Sequence, residues 1–505
     1  MKRTTDQKVG GSNPSGRANY LMTGMFAPIL ANSPTPPMVI WDVSCRVDHS
    51  HGFRPFTHYP PLIEGRLGGG ARCQMVENGY MTSANQSRLF SAWPWIVVGV
   101  TFLALIGAAA FRSTVSLLFE PMESEFGWDR TIVSIAIGVN LLFYGLTAPF
   151  AATLMDRFSI RRVATFALGL VAVGSGLAVA FPTPLGLILT WGVLVGFATG
   201  CLALVFGSIV AGRWFHKHRG LVTGVFSAAY ATGSLIFLPL LSFVLTANGW
   251  RTTAFTVAVL ALGIMAVFGF LFRNSPSEVG LRPFGLPASS KVNDSTGPLS
   301  VRANLGLLVE VVKTRPFLVL AGTFFICGWT TNGLIGSHFI PATRDHGMPV
   351  TTAAGLLALI GVFDFVGTIL SGWLSDRFNP VVLLAIYYGF RGVALFTVPF
   401  LLGPTVEPPM FFFVVFYGLD WIATVPPTIE LCRRYFGLER SGVVFGWVFA
   451  SHMVGAGVAS VFAGFIRDMQ GTYLIAWITA AILCLVATVA VWTLRRDPEA
   501  VKSPA

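Results

Sequence analysis

Charge is what this 505-residue sequence has least of: Asp, Glu, Lys and Arg make up only 11% of it, and 23 acids face 34 bases. A soluble chain carries about 25% charged residues, so a conventional water-facing surface is excluded. Cysteine is scarce too, and Cys45, Cys73, Cys201, Cys327, Cys432 and Cys484 show neither metal-site nor disulfide spacing. Cys201, Cys327 and Cys484 fall in apolar runs and read as small buried hydrophobes. No Ser/His/Asp or zinc-ligand cluster sits in a plausible loop. The glycine-rich stretches 192–200 and 455–464 lie inside apolar runs without a phosphate-loop lysine, which suits close helix packing. No covalent chemistry, metal or cofactor is expected. The net charge of +11 is not a nucleic-acid footprint either, because the bases are dispersed between hydrophobic runs.

Apolar residues, by contrast, make up 54% of the chain. They fall into runs of about 20 residues, the length that crosses a bilayer as a helix. Spans are expected at about 95–119, 131–151, 163–181, 185–209, 220–245 and 252–272, then at 316–340, 351–373, 380–402, 409–431, 442–466 and 472–494. The expected fold is an all-α membrane protein with twelve transmembrane helices in two halves of six. The organisation is a leader over 1–90, a first half over 91–272, a polar linker over 273–315, a second half over 316–495 and a tail over 496–505. The leader is rich in Gly, Pro, Ser and Arg, and has no apolar core of a signal peptide. Its run from Val9 to Arg17 resembles translated non-coding sequence, which would put the start at Met75 or Met81; a disordered tail is the other reading.

Positive charge sets orientation. With the N-terminus inside, the inner loops and tail hold nineteen Lys and Arg and the outer loops hold four, namely Arg130, Arg251, Arg344 and Arg467. Both termini are therefore expected to be cytoplasmic, in a bacterial inner membrane. The loop after the second span reads Asp156-Arg157-Phe-Ser-Ile-Arg161-Arg162, and the loop after the eighth reads Asp376-Arg377-Phe378. The two Asp-Arg pairs lie 376 − 156 = 220 residues apart at matching places, the mark of an internal duplication.

This loop motif resembles the signature of the major facilitator superfamily. The first copy has Ala152 and Ser159 where glycine is usual, and the second lacks the trailing arginines. The resemblance implies a cytoplasmic gate at Asp156, Arg157, Arg161, Arg162, Asp376 and Arg377; plain topological anchoring is the alternative for the bases. Span one, with Ala110-Phe111-Arg112-Ser113 and then Leu117-Leu118-Phe119-Glu120, is similar to the first helix of monocarboxylate transporters. Span five, opening Arg219-Gly220 and continuing through Gly224, Ala228 and Gly233, is similar to that branch and to oxalate/formate exchangers. Gly361-Val-Phe-Asp364 matches the branch's aspartate, whereas Thr368 stands where the branch has an arginine. Over about 93–495 the resemblance implies a secondary transporter.

Ionisable groups inside a span cost about 2.5–3.5 kcal/mol or more, so they face a cavity or a partner. Five stand out: Arg112, Asp364, Arg391, Asp420 and His452. A guanidinium at Arg112 suits an anionic substrate bidentately; a structural pair or snorkelling is the alternative. Asp364, with Arg391, Asp420 and His452, is expected to carry proton coupling, since a carboxyl whose cationic neighbour changes between conformations loads and releases a proton. A structural Arg391–Asp420 pair and a histidine bonded between helices remain open. Asn140 and Tyr144, four residues apart on one helix face, and Asn332 are further candidates for contact with substrate. The expected partners are a small carboxylate, protons and the bilayer. Uncoupled anion exchange and efflux of an amphipathic compound are the rival functions.

Overall fold

A computed structural model of the chain describes residues 86–286 and 301–496, together with three short strands nearer the N-terminus. Residues 497–505 of the expected tail, residues 287–300 of the linker and most of the leader lie outside the described residues. The chain divides into two compact units, Met1–Arg88 and Leu89–Ala505. In the first, β1 (Val43–Ser44), β2 (Gly65–Arg66) and β3 (Arg72–Met75) form an antiparallel sheet in the order β1-β3-β2, with Val43 opposite Met75 and Gly65 opposite Cys73.

The second unit is helical, apart from one bridge between Phe215 and Phe284. Its first half holds α1 (Gln86–Ser113), α2 (Arg130–Phe158), α3 (Ile160–Ala180), α4 (Pro184–Trp214), α5 (219–248) and α6 (250–271). Its second half holds α7 (Arg315–Asp345), α8 (Val350–Ser375), α9 (Pro380–Thr397), α10 (Pro408–Gly437), α11 (Arg440–Gln470) and α12 (Leu474–Trp492). Eleven stretches among the described residues are long and apolar enough to cross a membrane. One of them runs through Gly249, whose φ of 79° only glycine adopts cheaply, and there the chain turns back. Trp250 meets Glu125 at one end of the bundle, while Gly269 meets Thr165 and Arg161 near the other. α5 and α6 are therefore two separate helices, and twelve long helices are distinguished among the described residues. Gly437, at φ 77°, separates α10 from α11 in the same way.

These helices are apolar on nearly every side. Phe270, Phe390, Phe400 and Phe416 point outward and are largely exposed, which is stable only against lipid. The end carrying the 273–314 connection is the linker end, and the opposite one the distal end. The halves meet along α2 with α11 and α5 with α8. At the α2–α11 crossing backbone touches backbone: a side chain added to Gly138 would come within 2.9 Å of the Gly457 carbonyl.

Two details differ from the sequence expectation. Span one ends at Ser113, and Phe119–Phe126 forms a separate short helix at the distal end. The linker, read as polar coil, contains a helix over Val301–Val311 with Asn304, Leu307 and Val311 buried. Asn304 ties the halves at the linker end: its amide donates to the Pro149 carbonyl (2.9 Å), and its oxygen accepts from Trp447 Nε1 (2.8 Å).

Candidate functional site

A cavity of about 700 Å³ lies between the halves in the linker-end part of the bundle. Tyr144 of α2 and Leu221, Gly224 and Val225 of α5 line one side. The second half supplies Phe324, Thr331 and Asn332 of α7, Asp364, Phe365 and Thr368 of α8, Trp421, Ile422, Thr424 and Val425 of α10, and Phe445, Phe449 and His452 of α11.

Local backbone irregularity places the polar groups. α7 widens into a π-helical turn over Trp329–Ile335, which rotates Asn332 into the cavity and leaves its carbonyl to be capped by Ser337 Oγ (2.8 Å). Gly328 lies directly against the carbonyl of His452, a contact no side chain would allow, so α11 approaches closely enough for Asn332 Nδ2 and His452 Nε2 to bond at 3.1 Å. α10 loosens after Asp420, and the amide of Ile422, freed from the helix, donates to Asp364 Oδ1 (2.9 Å). Thr368 Oγ1 adds a second bond to that oxygen (3.1 Å). Asp364, on the cavity wall and only 4% exposed, is thus held by neutral donors and forms no ion pair among the described residues.

Behind this wall the Arg391 guanidinium is completely buried. Its Nε donates to Asp420 Oδ2 (2.6 Å), Nη2 to the carbonyls of Asp420 (2.5 Å) and Trp421 (3.2 Å), and Nη1 to Cys327 Sγ (2.9 Å) and Thr330 Oγ1 (3.4 Å). A buried charge is stable only when its hydrogen-bonding capacity is filled in this way. Asp420 Oδ1 accepts no hydrogen bond among the described residues, a costly omission for a buried oxygen.

Of the residues singled out in the sequence, Tyr144, Asn332, Asp364 and His452 converge on the cavity, with Arg391 and Asp420 directly behind. Asn140 does not line the cavity: its amide donates to the Trp191 carbonyl (2.6 Å), where Gly196 lets α4 lie against α2. Tyr144, one turn on, lines the cavity. Arg112 falls in the last turn of α1, and its side chain lies outside the described residues. The charged loop residues bond within their own halves. Asp156 pairs with Arg213, and Arg161 donates to the Gly269 carbonyl (2.7 Å) and takes Asn274 Oδ1 on its amide (2.9 Å). Arg157 lies over the Phe158 ring. Arg162 closes the first turn of α3 through Ser159 Oγ, and Asp376 ends α8 beside Arg377, which lies over the Trp373 ring.

The distal end carries a feature the sequence reading passed over. Arg130, at the start of α2, bonds Glu123 (2.6 Å) and, across the halves, Asp345 (2.7 and 2.8 Å) and the Tyr473 hydroxyl (3.1 Å). Asp468 of α11 accepts from the amides of Arg130 (3.2 Å) and Thr131 (2.8 Å), capping α2 from the opposite half. Arg344 pairs with Glu120 across the same boundary, and Arg467 joins Asp345 at 2.7 Å. The signal was present in the Arg-Asp dipeptides 344–345 and 467–468, which had been counted for their bases alone.

The sequence profile described as the Major Facilitator Superfamily matches residues 101–459. The chain is similar to an uncharacterized MFS-type transporter, YcxA, of Bacillus subtilis, with 27% identity over 75% of this chain and 90% of that protein. It is 26% identical to monocarboxylate transporter 13 of Rattus norvegicus over 78% of this chain and 87% of that one, and 24% identical to the oxalate:formate antiporter of Oxalobacter formigenes over 77% and 87%. Among solved structures, a bacterial homolog of the human lysosomal transporter Spinster, inward-facing and occupied, matches at TM-score 0.63 and 16% identity over 82% of this chain and 99% of that one. An auto-inhibited POT family peptide transporter matches at 0.61 and 12%, over 80% and 97%.

Proposed function

From its membership of the Major Facilitator Superfamily, which makes this chain a multi-pass membrane transporter and not an enzyme, we propose that it moves a small organic anion, a monocarboxylate, together with protons. The likeness to a monocarboxylate transporter and to an oxalate:formate antiporter supports the anion class. The observation that carries the coupling is Asp364, a carboxyl on the cavity wall with an Arg391–Asp420 pair behind it.

In this reading the two six-helix halves rock about the cavity and expose it to one side of the membrane at a time. The linker end is cytoplasmic, the membrane is a bacterial inner membrane, and the conformation described here has its distal, outer side shut. The substrate carboxylate sits at Asn332 and His452, with Tyr144 beside it and Arg112 of α1 as the expected cationic anchor. Protonation of Asp364 removes a second negative charge from the cavity the anion must enter. Asp420 Oδ1, without a donor, offers a second resting place for the proton. When the halves rock, Arg391 shifts its share of charge between the two acids and the proton is released. Asp156, Arg157, Arg161, Arg162, Asp376 and Arg377 hold the linker-end helices of each half as rigid units, and they close the gate when that end shuts.

The test is uptake of labelled carboxylates by proteoliposomes, with and without an inward proton gradient. Gradient-driven accumulation that disappears in Asp364→Asn, while substrate exchange without a gradient survives, is the expected result. Equal accumulation in the variant would show that Asp364 carries no proton and would favour uncoupled exchange. Failure of every carboxylate to move would remove the anion assignment and turn attention to amphipathic efflux.

A further inference from the structure

The cavity has a shape and a lining that go beyond a generic carboxylate site. Its polar edge is narrow, with the Asn332–His452 bond at 3.1 Å and Asp364 nearby. Next to that edge stands a continuous aromatic wall. Phe324 lies 4.8 Å from the His452 ring and 5.9 Å from Phe445. Phe449 stacks on His452 at 5.8 Å and only 8° between planes, and Tyr144 meets Phe449 edge-on at 6.0 Å. These rings come from α2, α7 and α11, so both halves contribute to one face.

The volume points the same way. About 700 Å³ holds roughly twenty waters, several times the bulk of a short aliphatic acid. A short acid seated on Asn332 and His452 would leave the aromatic wall wetted, at a cost set by its apolar area. A substrate with one acidic head and a ring-sized apolar body satisfies both features together, because ring–ring contact adds to the area term.

We propose that this cavity selects carboxylates bearing an aryl or comparably bulky apolar body over short aliphatic carboxylates, with Asn332 and His452 holding the head and Phe324, Phe445 and Phe449 the body. This inference rests on the carboxylate reading given above. A protein that transported only short acids would gain nothing from an aromatic face beside its polar groups.

The experiment compares 3-phenylpropanoate, propanoate and 3-phenylpropanol as competitors of labelled 3-phenylpropanoate and labelled propanoate uptake in proteoliposomes. The expected half-inhibitory concentration of 3-phenylpropanoate is at least about tenfold below that of propanoate, the lower bound for burying a Phe-sized group. Phe445→Leu and Phe449→Leu, each checked for monodispersity in detergent, are expected to narrow that ratio by weakening 3-phenylpropanoate more than propanoate. Equal or better competition by propanoate would overturn the inference and leave the carboxylate reading standing. Competition by 3-phenylpropanol matching that of the acid would overturn the role given to the head. If neither acid moves, the carboxylate reading itself fails and the inference falls with it.

Discussion

The two ends of the bundle solve the same problem in different ways. At the distal end the halves are joined directly, through Arg130–Asp345, Arg344–Glu120 and the capping of α2 by Asp468. At the linker end the charged loop residues bond inside their own halves; the linker helix joins the halves through Asn304, and Arg440 pairs with Glu310 of that helix. Charge at one end therefore resists separation, whereas charge at the other stiffens each half as a body.

The largest expected effect comes from wedging the distal seam. Gly138→Leu puts a side chain where Gly457 carbonyl already lies 2.9 Å from an added carbon, and overpacking of this kind costs about 1–3 kcal/mol. Cysteine-accessibility labelling at the distal end should then rise sharply; unchanged labelling would show that the seam is not what closes it. Arg130→Ala leaves Glu123 and Asp345 short of a partner that is only 11% exposed, and should shift labelling the same way by about tenfold, equivalent to ~1.4 kcal/mol. Asp156→Asn sharpens the contrast. Its pair with Arg213 is about 30% exposed and lies within one half, so melting in detergent should change by less than about 1 kcal/mol and distal labelling not at all.

The smallest effect concerns acid. Glu125 lies below the usual glutamate value of 4.5, because Arg251 bonds its carboxylate, with Trp250 Nε1 donating as well. A lowered folded-state value means that this clasp stabilises the fold above the ordinary value and is lost as pH falls through the lowered one. Trp250 fluorescence should therefore stay constant down to about pH 4.5 and change only below it; a transition near neutrality would contradict the assignment.

The fold was legible because lipid imposes a simple pattern. Runs of apolar residues long enough to span, with bases between them, marked the long helices among the described residues. Two elements were missed for physical reasons. The helix Val301–Val311 buries only a narrow stripe, Asn304, Leu307 and Val311, and is too short to announce itself within a polar segment. The end of span one was overrun because Leu117, Leu118 and Phe119 are apolar although they lie outside α1. At the site, intramembrane charge was the informative signal: Asp364, Arg391, Asp420 and His452 cluster because none is stable alone in lipid. A polar residue on a helix face indicates a partner without revealing which one, and at Asn140 that partner is the Trp191 backbone. The distal ion pairs were hidden because counting bases for orientation ignores the acids beside them. The aromatic wall was out of reach, since it needs the register of α2, α7 and α11.

The most direct test of the account follows protons instead of substrate. Proteoliposomes loaded with a pH-sensitive dye are given an external carboxylate that the protein transports, with no gradient imposed. The account predicts internal acidification with the native protein and none with Asp364→Asn, although the variant still exchanges labelled substrate. Acidification of equal size in the variant would contradict the role of Asp364, and its absence in the native protein would contradict proton coupling altogether.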